Sequence, residues 1–185
     1  SAEEAVKRVE ELVRRVKERN KRLVEDVERE VRRVKKRSEE TNRRVKKLVE
    51  RVKEDLDKRV SDEEKVKRIE DLLREILDTV RRLDEDSKRL LDEILERARR
   101  LIKKSDELLD RILKRARDMV KDLKDDKDKL EEVLREVRDR LADVERKSER
   151  VVEEVERLLR EVVRKNEDVL RRIEELLRDV EEKAR

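Results

Sequence analysis

Residues 72–89, 90–107 and 108–125 read LLREILDTVRRLDEDSKR, LLDEILERARRLIKKSDE and LLDRILKRARDMVKDLKD, three versions of one pattern placed end to end. An α-helix has 3.6 residues per turn, so a repeat of 18 completes five whole turns and brings each residue back to the same angle. Such a pattern describes a straight helix, where a heptad repeat would impose a left-handed supercoil. The period extends through the chain. Val9, Val27 and Val45 share one angle, Val13, Val31 and Val49 another, and Val16, Val34 and Val52 a third. The middle segment repeats Leu73, Leu91 and Leu109, then Ile76, Ile94 and Ile112, then Leu77, Leu95 and Leu113. The last repeats Val137, Val155 and Ile173, and Leu141, Leu159 and Leu177.

At 100° per residue, the apolar positions of each segment fill an arc about 120–140° wide, suited to a helix packed against two neighbours. Three such segments in one chain close a core among themselves. The predicted fold is all-α: a single domain over residues 1–185, built as an antiparallel up-down-up three-helix bundle of long, nearly straight helices.

Composition supports this reading. Only twelve residue types occur in the 185 residues, with no Gly, Pro, Cys, His, Gln, Phe, Tyr or Trp. Average usage would supply on the order of twenty Gly and Pro, so the chain has almost nothing to punctuate its helices. Charged residues make up 61%, but 58 basic and 54 acidic side chains leave a net charge of only +4. The signs are interleaved and the apolar residues periodic, which describes a solvated surface around a core and not a disordered polyelectrolyte. No basic block alternates with aromatic residues, so no nucleic-acid partner is expected. No apolar run approaches the roughly 18 residues of a membrane span. A soluble protein is expected, cytoplasmic when made recombinantly, and the opening Ser1 suggests a trimmed expression tag.

Helix boundaries come from capping signals. Ser1-Ala2-Glu3-Glu4 and Ser61-Asp62-Glu63-Glu64 match the capping box, making Ser1 and Ser61 the expected N-caps. Asp126, within the acidic break at 125–128, is the expected third cap. The predicted helices span 2–59, 62–124 and 127–184.

Small polar residues interrupt the apolar arcs: Asn20 and Ser38 in the first helix, Ser87 and Ser105 in the second, Ser148 and Asn166 in the third. A buried hydroxyl or amide without a partner costs about 1–3 kcal/mol, so these residues are expected to meet one another. In an antiparallel pair, residues at one height have a constant number sum. Asn20 with Ser105 and Ser38 with Ser87 both give 125, and Ser105 with Ser148 and Ser87 with Asn166 both give 253. The turns implied, near residues 62–63 and 126–127, coincide with the caps. Two polar layers are therefore predicted, Asn20/Ser105/Ser148 and Ser38/Ser87/Asn166, about 27 Å apart at 1.5 Å per residue. Thr41 and Asn42, within a turn of Ser38, are candidates to extend the second.

No catalytic, cofactor or metal site is predicted. A nucleophilic serine needs a base and a cavity, and the chain has no histidine. Zinc would lack imidazole and thiolate donors, and the acidic clusters lack the Gly of a calcium loop. Exchangeable apolipoproteins share the amphipathic periodicity but not the absence of Pro and aromatics, and spectrin repeats are shorter and rely on buried aromatics.

The repeats at 72–125, the Ser-x-x-Glu caps and the paired polar positions together resemble de novo designed helical bundles built from parametric straight helices with buried hydrogen-bond layers. The resemblance covers the whole chain, although the connections lack the Gly usual in such designs. It implies an idealised, very stable scaffold without natural activity, and the first expectation is a monomeric bundle that requires no partner. Two alternatives are an assembly subunit associating through residual leucine stripes, Leu77/Leu95/Leu113 or Leu158/Leu176, and a natural amphipathic protein that binds lipid or a partner helix.

Overall fold

A computed structural model describes residues 1–184. It contains three α-helices, α1 (Ala2–Arg59), α2 (Glu63–Leu123) and α3 (Lys127–Ala184), and no strand among the described residues. α1 and α3 have the predicted limits, and α2 is one residue shorter at each end. The chain is an all-α three-helix bundle, and among the described residues no helix is long and apolar enough to cross a membrane.

The helix starts show how side chains satisfy backbone amides that lack an intrahelical acceptor. Ser1 Oγ accepts from the Glu4 amide at 3.3 Å, and the Glu4 carboxylate lies 3.7 Å from the Ser1 nitrogen. At α3, Asp126 Oδ1 accepts from the Lys129 amide at 3.4 Å, while the Asp126 carbonyl begins the helical ladder with Leu130 at 3.0 Å. The predicted cap of α2 needs correction: it is Asp62 and not Ser61. Asp62 Oδ1 accepts from the Glu64 amide at 3.1 Å, and the Asp62 carbonyl takes the first ladder bond, from Val66 at 3.0 Å. Aspartate caps as well as serine and adds a negative charge at the positive end of the helix dipole. We expect Asp62→Ala to lower stability by about 0.5–2 kcal/mol and Ser61→Ala to change it by less than about 0.5 kcal/mol, as read from denaturant midpoints of the two variants. A larger loss in Ser61→Ala than in Asp62→Ala would return the cap to Ser61.

The connection from α2 to α3 turns through Lys124, whose φ of 52° is left-handed. Glycine normally takes this position after a helix; a residue with a Cβ there costs about 1–2 kcal/mol.

Packing groups into two compact units, each drawing one segment from every helix. The first comprises 1–29 with 94–157, and the second 30–93 with the chain from 158 onward. In the first, Val9, Val13 and Val16 of α1 join Leu109, Ile112 and Val120 of α2 and Val137, Leu141 and Val144 of α3. In the second, Val45, Val49 and Val52 join Leu73, Ile76 and Val80, with Leu170, Ile173 and Leu177 completing the core. α1 thus contributes mostly valine where α2 brings mostly larger leucine and isoleucine and α3 mixes valine with leucine, a small-against-large arrangement that fills space between facing helices. Each fully buried side chain of this size contributes roughly 1.5–3 kcal/mol.

Ion pairs fix helix directions within each unit. In the first, Lys17 pairs with Asp110 and Arg117 with Glu10, so α2 descends as α1 ascends. Arg19 of α1 reaches Glu145 and Glu149 of α3. In the second, Lys35 pairs with Asp92, Lys88 with Glu39 and Arg37 with Glu167. Most of these side chains are substantially exposed, where a pair is worth about 0–1 kcal/mol. Their role is to favour one orientation more than to hold the fold together. Among the described residues, no ion pair joins α2 to α3.

Candidate functional site

The polar residues within the apolar arcs are the candidates, and the structure places three in each unit. In the first unit, Asn20, Ser105 and Ser148 come together one turn beyond Val16, Leu109 and Val144. The Asn20 amide nitrogen donates to Ser105 Oγ at 3.1 Å and to Asp106 Oδ1 at 3.0 Å. Ser105 Oγ in turn lies 3.1 Å from Ser148 Oγ, a hydroxyl pair in which either group can donate. Asn20 is 1% and Ser148 2% exposed. Burial that deep makes every unsatisfied polar atom costly, and no buried side-chain nitrogen or oxygen among the described residues lacks a partner.

The second unit is assembled differently. Ser87 donates to Asn166 Oδ1 at 2.9 Å, joining α2 to α3. Ser38 bonds neither of them. Its hydroxyl donates to Asp84 Oδ1 at 3.3 Å, so the predicted Ser38/Ser87/Asn166 contact is corrected to two separate pairs. The difference lies in reach. In the first unit the longer asparagine sits on α1 and spans to α2; one repeat along, α1 offers only the shorter serine, which stops at the nearer carboxylate. Thr41 also stays apart, donating to the Arg37 carbonyl of its own helix at 2.8 Å. Asn42 lines a cleft beside Ser38 and Asn166.

Asp84 and Asp106 were not foreseen as members of these clusters. Asp84 accepts from Ser38 through Oδ1 and lies 3.2 Å from the Lys88 ammonium through Oδ2. Lys88 also approaches Glu39 at 3.2 Å. Hydrogen bonds to Asp84 first and to Glu39 second raise the Lys88 pKa above its ordinary value. A sequence signal existed: Lys88 and Asp106 are one repeat apart, so both occupy the edge of α2 that faces α1. Periodicity alone had assigned all charged residues to the outer face.

The partners define what the serines can do. Ser105 meets an amide and another hydroxyl, and Ser87 meets an amide, neither of which is a base that could activate an oxygen nucleophile. Ser38 meets a carboxylate held by an ammonium group.

Protein families, curated proteins and solved structures were compared with the chain, and none matches. The site is therefore read from its own geometry. Of the leucines expected to form an association stripe, Leu77, Leu95, Leu113 and Leu158 are partly buried and Leu176 is exposed. Among the described residues, the exposed large apolar ones are Leu72 at 48%, Leu90 at 43% and Leu176 at 52%.

Proposed function

We propose that this chain is a de novo designed protein whose function is structural: a helical scaffold with polar layers that select one packing arrangement. On this reading it has no enzymatic activity, takes no cofactor, and binds neither nucleic acid nor membrane. The observation that carries the reading is the single register shared by core and polar positions. Asn20 and Ser38, Ser87 and Ser105, and Ser148 and Asn166 are each one 18-residue repeat apart, in the same period as the valine and leucine sets. A buried polar cluster adds little net stability compared with apolar packing, but it penalises alternatives in which the helices slide by a turn and leave polar atoms unpaired. That is the work of a specificity device in a molecule whose apolar stripes are nearly uniform.

A second reading, an assembly subunit, is favoured by exposed Leu72, Leu90 and Leu176. Three half-exposed leucines expose less apolar area than the roughly 800 Å² per partner buried in a standard interface. We therefore expect size-exclusion chromatography with light scattering to give the mass of one chain, 22.6 kDa, across loading concentrations. A mass of two or more chains, reduced by Leu72→Lys or Leu176→Lys, would make the assembly reading the better one.

A further inference from the structure

We propose that the polar cluster of the second unit is completed by bound water, in a cleft between α1 and α3 lined by Ser38, Asn42 and Asn166. The cleft offers about 30 Å³. A water molecule needs roughly 10–15 Å³ and two to four polar partners, so there is room for one or two. The walls supply those partners in both senses. Asn166 uses Oδ1 on Ser87, and its amide nitrogen has no acceptor among the described residues. Asn42 has no side-chain hydrogen bond among the described residues, so it brings two donors and an acceptor. Ser38 has given its hydroxyl hydrogen to Asp84 and keeps oxygen lone pairs. Water donating to Ser38 and accepting from Asn166 joins α1 to α3 at the point where the direct bond is missing.

The surroundings distinguish this place from the matching one in the first unit. There, Asn20 spends both amide hydrogens on Ser105 and Asp106 and is 1% exposed, so no donor is left for water. In the second unit, Leu83 and Val163 form apolar walls of the cleft, and Arg37 and Glu167, paired at 2.8 Å, also line it. That pair borders an open groove on the outer side as well, which places it between the cleft and solvent. Water held there is sheltered yet able to exchange. One cluster is joined by direct bonds across α1, α2 and α3, the other by bridging water, although the sequence repeats the same small polar residues in both.

The test is a crystal structure of the full chain at a resolution that places ordered water, together with one of the Asn42→Leu variant. The expected result is a water peak within hydrogen-bond distance of both Asn166 Nδ2 and a polar atom of α1, with none at Asn20 Nδ2. In Asn42→Leu the added apolar volume should displace that peak while Ser87 and Asn166 remain bonded. Nuclear magnetic resonance supplies a second measurement in solution: transfer of magnetisation from water to the Asn166 side-chain amide should be clear in the parent chain and lost in the variant. A direct bond from Asn166 to Ser38, a cleft without ordered density, or water transfer at Asn166 that Asn42→Leu leaves unchanged would each overturn the proposal.

Discussion

Leu109→Ala is expected to lower the unfolding free energy by about 2–5 kcal/mol, toward the upper end of that range. Leu109 is fully buried at 0% exposure, in the core of the first unit among Val9, Val13, Val16, Ile112, Val137 and Leu141. The loss has two parts: the transfer free energy of the deleted methyl and methylene groups, and the cavity they leave. The second depends on how far the walls can collapse. These walls are largely β-branched side chains, held in one dominant χ1 rotamer on a helix, so relaxation is restricted. Leu72→Ala is the control. Leu72 is 48% exposed on the same helix, and alanine is at least as good a helix former as leucine, so its change should stay within about 0.5 kcal/mol. Guanidinium midpoints of the two variants, with unchanged slopes, measure the contrast. Similar small losses at both positions would mean a core without fixed packing, and stability derived from helix propensity alone.

How much of this was legible follows from what a period can and cannot encode. An 18-residue repeat specifies the angle of a side chain on its helix, and that placed Leu91 and Leu109 inward, both at 0% exposure. Number sums specify height between antiparallel helices, and those predicted heights put Asn20 beside Ser105 and Ser105 beside Ser148. Neither quantity contains side-chain reach. Ser38 and Ser87 stand at one height by number sum, yet Ser38 turns to Asp84, because two short hydroxyl side chains do not span every gap that an asparagine spans. Cap identity was ambiguous for a local reason: Ser61 and Asp62 are adjacent, both are good caps, and the bonds from the Glu64 amide to the Asp62 side chain and from the Val66 amide to the Asp62 carbonyl separate them.

Leu176 was among the leucines expected at the surface, but Leu72 and Leu90 were not, for a related reason. A helix in a three-helix bundle has two edges, and its sequence does not say which neighbour lies on which side. Leu77 and Leu95 lie on the edge of α2 shared with Lys88 and Asp106, facing α1. Leu72 and Leu90 lie on the opposite edge, where no ion pair joins α2 to α3 among the described residues.

The second large effect concerns the polar cluster of the first unit. Asn20→Leu removes the donor of two hydrogen bonds and leaves Ser105 and Asp106 without it. It also places a branched side chain where an amide fitted, at a site 1% exposed. Lost partners and overpacking each cost on the order of 1–3 kcal/mol, and because Asp106 and Ser105 can turn toward solvent we expect a total in that same range and not the sum. Asp106 is the component most easily relieved, since a partly exposed carboxylate regains water. Replacing Asn20, Ser105 and Ser148 together with fitted apolar residues should recover the loss or exceed it, because no polar atom then remains to be left unpaired. The gain should come with weaker discrimination between registers, visible as broader amide spectra or a second species on chromatography. Guanidinium melts of the single, double and triple variants, treated as a mutant cycle, measure the coupling directly. Coupling of about 0.5–3 kcal/mol is the expected signature of residues in one hydrogen-bonded network. Strict additivity would separate the three side chains energetically, and with them would go the argument that the polar cluster sets the alignment of the helices around it.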